Sequence, residues 1–183
     1  MIFGSNGAQL VDGDGALTTL TSTATSAAAW EDGRWWLAHP GEIAAYAALP
    51  GEAVARLPVD VDTEVVALVP DVSLPQPLDL VVLTADTIRG AVERDGTLAF
   101  VDVDAFAENR VPVRGNRSAV RAPDGGFVVA TGDGAQRVVD WGRGAEWRYY
   151  GAERWAPSAD VRGVAFGPGE TTAALYLATA ALL

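Results

Sequence analysis

The chain has 183 residues, a length that at roughly 100–200 residues per domain corresponds to a single domain. Its 24 acidic side chains against 13 basic ones leave a net charge of −11, which repels a phosphate backbone and argues against nucleic-acid binding. Apolar residues, at 49%, suffice for a core, while one His and no Cys remove most metal sites, thiol chemistry and disulfides.

Every basic residue is Arg, from Arg34 to Arg162, and the 20 Gly and 10 Pro favour many turns over long helices. The N-terminus MIFGSNGAQL has no basic region, and the first positive side chain, Arg34, comes too late for a secretory signal. The apolar stretch Ala173–Leu183 is far shorter than the ~20 residues a bilayer needs. A soluble chain without a membrane span is expected, cytoplasmic or virion-associated. The lack of Cys fits a reducing compartment.

Taken in chain order, Leu17–Pro40 holds two apolar runs around Asp32-Gly33, the second being Arg34–His39. Pro40-Gly41 and Pro50-Gly51 then bracket Glu42–Leu49 and Glu52–Val59. Eight residues between two Pro-Gly pairs are short for a helix, so Glu42–Leu49 reads as a strand despite its Ala content. Glu64–Val69 is a clear strand, and Pro70–Pro77 reads as a connector between repeat units within one all-β domain, 1–183. Further strands are expected at Leu80–Thr84, Thr87–Glu93, Thr97–Val103, Arg110–Val113, Ser118–Ala122, Gly126–Thr131 and Ala135–Trp141. Glu146–Tyr150, Val161–Phe166 and Ala173–Ala180 complete the set. Many of these runs are apolar at consecutive positions, as in sheets covered on both faces.

The chain also repeats itself. Leu17–Pro40 aligns without a gap on Leu80–Val103, matching Leu17/Leu80, Leu20/Leu83, Thr21/Thr84, Ala28/Ala91, Asp32/Asp95 and Gly33/Gly96. Arg117–Ala130 follows the same rhythm around Asp124, and Val161–Ala180 around a Pro-Gly turn. Asp-Gly supplies the positive φ of a tight hairpin, so each copy predicts two antiparallel strands.

DGRWWLAHPGEIAAYAALPGE, DGGFVVATGDGAQRVVDWG and VRGVAFGPGETTAALYLATA resemble blades of β-propeller repeats of the NHL and YVTN kinds. The likeness lies in turn-and-strand patterns and spans about three quarters of the chain, with room for about four blades. It implies a binding scaffold and brings no catalytic residue with it. The expected fold is therefore all-β, made of repeated antiparallel meanders. These form a small or incomplete propeller, an open meander, a β-barrel or sandwich, or part of a ring that another copy completes.

The most distinctive local feature is Asp140–Trp155, which gathers Trp141, Trp147, Tyr149, Tyr150 and Trp155 with Arg143, Arg148 and Arg154. Exposed, these rings and guanidinium groups suit a sugar ring or a protein partner. On a strand, Trp147 and Tyr149 would instead face a core while Arg148 and Tyr150 face out. Trp35-Trp36, beside Trp30, points to both faces of one strand, so one of the pair needs cover. His39 stands before Pro40, where a solvated or backbone-bonded imidazole is the ordinary reading. No GxSxG, P-loop or GxGxxG motif is present. VDGDG at Val11–Gly15 and the Asp60–Asp62 and Asp102–Asp104 pairs fail the spacing of a calcium loop and read as turns. Asp140, Glu146 and Glu153 are the acids from which a hydrolytic pair could be drawn.

These readings point to a non-enzymatic structural or interaction module, a subunit of a larger assembly such as a phage tail or capsid accessory protein. Its expected partners are proteins or copies of itself, with no cofactor and no metal. A carbohydrate- or small-ligand-binding domain using the 141–155 aromatics is the alternative, and an acid-residue hydrolase the third.

Overall fold

A computed structural model describes residues 2–11, 14–74, 76–107, 110–112, 114–140, 145–151, 158–167 and 174–179. Among them the structure is all-β, with one short 3-10 turn at Asp104–Phe106. The first sheet contains β1 (Ile2–Gly4), β2 (Gly7–Val11) and β3 (Leu17–Thr21), paired in that order. A first four-stranded meander follows: β4 (Ala27–Glu31), β5 (Arg34–His39), β6 (Glu42–Tyr46) and β7 (Ala53–Pro58). A second comprises β8 (Val65–Ser73), β9 (Pro77–Thr84), β10 (Ile88–Arg94) and β11 (Thr97–Val101). The third is β12 (Asn116–Arg121), β13 (Phe127–Thr131), β14 (Gly134–Asp140) and β15 (Ala145–Tyr150). β16 (Val161–Gly167) and β17 (Ala174–Thr179) form a final pair.

The expected hairpins have a physical basis in the turns. Asp32 and Gly33 have φ of 48° and 74°, and Asp95 and Gly96 have 52° and 75°. Two central residues at positive φ make a type I′ turn, whose twist matches that of the flanking strands. The turns thus close β4 on β5 and β10 on β11 in antiparallel register. Their places differ, however. Asp32 joins the first and second strands of its meander, and Asp95 joins the third and fourth. The counterpart of Asp32 is Asp124, between β12 and β13, in a longer turn where the Ala122 N–H donates to Gly126 O at 2.8 Å. The internal alignment therefore matches turns of one geometry, not equivalent positions in a unit.

Two other expectations are corrected. Pro70–Pro77 does not link units: β8 runs through Pro70 to Ser73 and pairs with β9 across Pro70↔Leu80 and Val72↔Leu78. A Pro is tolerated there because β8 is an edge strand whose other side needs no N–H donor. Of Arg110–Val113, expected as a strand, the described residues 110–112 lie in the connection from β11 to β12 and carry no strand, and Val113 lies outside the described residues. The strand expected at Glu42–Leu49 forms over Glu42–Tyr46, whereas β1, of three residues, and β2, GAQLV, carry no clear apolar alternation.

The first two meanders join through a single parallel pair, Thr97↔Arg56, into an eight-stranded sheet. Its two edge strands, β4 and β8, lie against each other, so the sheet is nearly closed and barrel-like. The same contact recurs along the chain. The leading strand of each meander packs on the next: β4 on β8, β8 on β12, and β12 on β16.

The core is layered accordingly. Trp36, Ile43, Leu57, Leu68, Leu80 and Val82 fill the space between the first and second meanders. Val69, Leu78, Val81, Leu83, Phe127 and Val138 fill the space between the second and third. Ala130, Val161, Val164 and Leu177 begin a further layer against β16–β17. On β9, Leu80 and Val82 thus face one layer while Val81 and Leu83 face the other. This double cover is the cause of the unbroken apolar run LVVL, and each such side chain contributes roughly 1.5–3 kcal/mol. Among the described residues no helix is long and apolar enough to cross a membrane.

Candidate functional site

The aromatic segment singled out in the sequence falls largely on β15, which pairs with β14 across Val138↔Trp147 and Gln136↔Tyr149. Trp147 turns into the layer between the second and third meanders. Its indole N–H donates to Ala105 O at 2.7 Å, and its ring meets Phe127 edge-on, 5.9 Å away at 88°. Phe106 adds a third ring at 6.4 Å. Tyr149, two residues on, is 40% exposed, with its hydroxyl donating to Asp133 O. Burial of the ring and the nearby Asp133 push its hydroxyl pKa upward. Arg148 is exposed opposite Arg137, and Tyr150 is half-buried. Trp141, Arg143 and Trp155 lie outside the described residues, as does Arg154. The described aromatics therefore split between a packed core ring, Trp147, and a partly exposed one, Tyr149. They do not form one common platform.

Of the acids considered for hydrolysis, the described residues place two by backbone position. Glu146 is exposed opposite Val139, Asp140 ends β14, and Glu153 is outside the described residues. Of the turn acids, Asp60 caps its own turn through the Asp62 N–H at 3.2 Å, and Asp104 pairs with Arg110 at 3.2 Å. A different trio, Glu31, Asp32 and Asp71, brings carboxylate oxygens within 4.8 Å of one another. Arg121 already spans it, at 2.7 Å from both Glu31 and Asp71. One guanidinium from β12 thereby ties the ends of β4 and β8 together. Its electrostatic role is structural.

The recesses lie elsewhere, on the face where the chain enters the leading strands. β7 and β11 run parallel, touch at Arg56 and Thr97, and then part. The gap between them opens into a recess of about 650 Å³, within the size range of small-molecule sites. Val59, Val82 and Phe100 give it an apolar floor, and Asp60, Asp86 and Arg89 a polar rim. The Arg89 guanidinium sits 3.6 Å from the Phe100 ring centroid, a cation–π contact. A second recess of about 460 Å³ adjoins it across Thr63 and Glu64 and reaches Gly4, Thr25, Ser26 and His39.

His39 proves backbone-bonded, as one of its ordinary readings had it, and buried rather than solvated. Its Nδ1 lies 2.9 Å from Ala24 O, a partner that only accepts, so Nδ1 carries the proton and donates. Nε2 is then free to accept from the Tyr46 hydroxyl at 3.4 Å. Tyr46 has its pKa raised, first by burial and next by the Glu42 carboxylate, while Arg56 opposes the shift. Arg56 in turn grips both oxygens of Glu42, at 2.7 and 2.6 Å. The chain Ala24–His39–Tyr46 holds an imidazole in one tautomer at the wall of a recess, with the Thr25 hydroxyl 3.4 Å from Nδ1.

The recess residues were not legible beforehand. Thr63, Glu64, Asp86 and Arg89 are ordinary turn and strand residues in the sequence, and only the parting of β7 and β11 brings them together. The one available signal was that the β10–β11 hairpin about Asp95-Gly96 brings Arg89 and Phe100 together at its open end. No family model matches the sequence, and no curated protein is similar to it. Among solved structures, the extracellular domain of a hybrid two-component system from B. thetaiotaomicron resembles the fold. It aligns with a TM-score of 0.50 at 14% identity, over 79% of this chain and 19% of that one. This chain therefore spans about a fifth of that neighbour's length.

Proposed function

We propose that the chain is a non-catalytic interaction module, a subunit of a larger assembly, in which the meanders act as blades of a propeller-like array. The observation that carries this reading is the series of leading strands, each packed on the next with an apolar layer between successive sheets. Such an array is satisfied in its interior and bare at its ends. Val11, Leu17 and Trp30 are 37%, 59% and 55% exposed toward one end, and Tyr176 is 55% exposed at the other. End faces of this kind favour a neighbour over water. Light scattering on the purified chain alone and in native complexes tests the reading. A stable complex that dissociates when Leu17 and Tyr176 are both changed to Asp supports it. A chain that stays monomeric and is recovered without any partner overturns it.

A second reading, small-ligand binding, draws on the adjoining recesses beside the 141–155 aromatics, of which Trp147 packs into the core while Trp141, Arg143 and Trp155 lie outside the described residues. Arg89 and the Thr63, Thr84 and Thr87 hydroxyls would orient a polar ligand over Phe100. A glycan array with an Arg89→Ala control tests it: retention of a saccharide that Arg89→Ala abolishes supports it, and no retained saccharide removes it.

A further inference from the structure

β7 and β11 pair only at Arg56 and Thr97 and then splay, so among the described residues no strand lies along the outer edge of β11 over residues 98–101. The recess of about 650 Å³ occupies that splay, with Val59, Val82 and Phe100 as its floor. The recess of about 460 Å³ continues it past Thr63 and Glu64. Together they form a groove with an apolar floor and an unpaired strand edge beside it, a shape that accepts an extended chain.

Charge decides which kind of chain. Between Arg56 and Arg89 the sequence has no basic residue, and of the acids in that stretch Asp60, Glu64 and Asp86 rim the larger recess while Asp62 and Glu64 line the smaller. Elsewhere carboxylates are matched, Glu42 by Arg56, Glu93 by Arg34 and Asp124 by Arg137. None of the four groove acids enters an ion pair among the described residues. The one guanidinium of the groove, Arg89, lies instead over the Phe100 ring, 3.6 Å from its centroid. Unmatched carboxylates around an apolar floor repel an anion and suit a cation carried on a hydrocarbon stem.

We propose that this groove docks an extended basic segment of a protein partner, which lies along the outer edge of β11 and sends alternate Arg or Lys side chains into the two recesses. Alternate side chains of an extended chain point the same way, so a single segment serves both. One head group meets Asp60 and Asp86 while its stem covers Val59, Val82 and Phe100, and the next meets Asp62 and Glu64. Arg89 on Phe100 shows, within the chain itself, the fit of a guanidinium to that ring. The segment belongs to a different protein because this chain has no Lys, and most of its described Arg already hold its own carboxylates. This inference rests on the subunit reading above and names the chemistry of one partner.

The test uses the full chain and a short capped peptide of alternating Arg and Ala, with the same peptide carrying Glu for Arg as control. Fluorescence anisotropy of the labelled peptide gives the affinity, and amide chemical shifts locate it. We expect the Arg peptide alone to bind, moving the amides of residues 59–64, 84–89 and 98–101. The combined variant Asp60→Asn, Glu64→Gln and Asp86→Asn should weaken binding about tenfold or more, as loss of close charge pairs does. All three side chains are exposed, so the variant keeps its melting temperature. Asp95→Asn, which removes a charge at the closed end of the β10–β11 hairpin, should leave binding unchanged. Equal binding of the Glu peptide, an equal loss in Asp95→Asn, or shifts confined to other surfaces would each overturn the inference. Spermidine that displaces the peptide at equal concentration would overturn it by making the groove a site for small amines. Self-association of the chain that the combined variant abolishes would do so by making a second copy the occupant. A native complex that forms unchanged with the combined variant refutes this site and leaves the subunit reading standing, whereas a chain recovered without any partner removes both.

Discussion

The second meander and the first sheet are built from similar strands and end up in opposite situations. β8–β11 lies between two apolar layers, so Leu80 and Val81, adjacent in sequence, are both fully buried on opposite faces. In β1–β3, Ala8 and Leu20 are buried, while Val11 and Leu17, paired across β2 and β3, are exposed, and no described side chain of these strands belongs to the apolar layers between the meanders. Position in the array, more than strand composition, decides what a side chain contributes. Substitutions of matched chemistry at the two places should therefore differ in cost, and the size of that difference measures how far the stacking governs the fold.

The largest effect is expected at Phe127. It is fully buried between the second and third meanders and meets both Phe106, at 5.7 Å, and Trp147 edge-on. Phe127→Ala removes the ring and leaves a cavity that two aromatic neighbours cannot collapse into, costing about 3–5 kcal/mol. Urea denaturation followed by tryptophan fluorescence reads it directly, and a loss below about 1 kcal/mol would mean that the interior layers are not close-packed.

Next come the two type I′ turns, which allow a paired comparison. A Cβ at Gly33 meets nothing within 4 Å, and one at Gly96 meets only Val54 O at an ordinary 3.5 Å. Gly33→Ala and Gly96→Ala should thus each cost only the left-handed backbone penalty, about 1–2 kcal/mol. Equal losses in thermal or urea unfolding support one shared turn geometry. A neutral result at either position would show that its turn relaxes to another type.

How much of this was legible in the sequence follows from the range of the forces involved. Arg34–His39 was read to the residue because Asp32-Gly33 and Pro40-Gly41 are local signals, complete within a turn. The double-faced cover of β9 was legible as well, since consecutive apolar residues have no other use in a strand. Pro70 misled because a Pro reads as a break, and only the tertiary fact that β8 is an edge lets it stay in a strand. Arg110–Val113 misled because alternation over four residues does not require a partner strand. The recesses were beyond reach altogether. They arise where β7 and β11 part after a single parallel pair, and that separation depends on how whole meanders stack.

A smaller effect, with a sign in pH, is expected at Tyr46. Its folded pKa lies above the ordinary tyrosine value of 10.0, chiefly through burial. The native state therefore holds this proton more tightly than the unfolded chain. The associated stability is fully present below about pH 10 and is lost as pH rises through the raised folded value. Tyr46→Phe removes the hydroxyl bonded to His39 Nε2 and should cost about 1 kcal/mol at neutral pH. It should also flatten the alkaline fall in stability, leaving the contribution of Tyr149, whose pKa is raised in the same direction. An alkaline limb of unchanged slope in Tyr46→Phe would place the titrating group elsewhere.

The smallest effect should come from the end of the array, and it is the most informative about context. Leu17 sits on β3 opposite Val11 and is 59% exposed, with no layer over that face among the described residues. Leu17→Ala removes the same hydrocarbon as a buried Leu→Ala change does, yet most of that surface already faces water. It should alter the stability of the isolated chain by less than about 0.5 kcal/mol. The same change made at Leu80 falls among residues packed from both sides and should cost about 2–5 kcal/mol. The ratio between the two, measured by urea denaturation in the same buffer, compares an exposed position on edge strand β3 with one covered from both sides on the interior strand β9, with residue type held constant. Repeating the pair in a native complex sharpens it further. If a neighbour covers the β1–β3 end, the cost at Leu17 rises toward that at Leu80 only in the complex, whereas an unchanged small cost would mean that the neighbour binds away from that face.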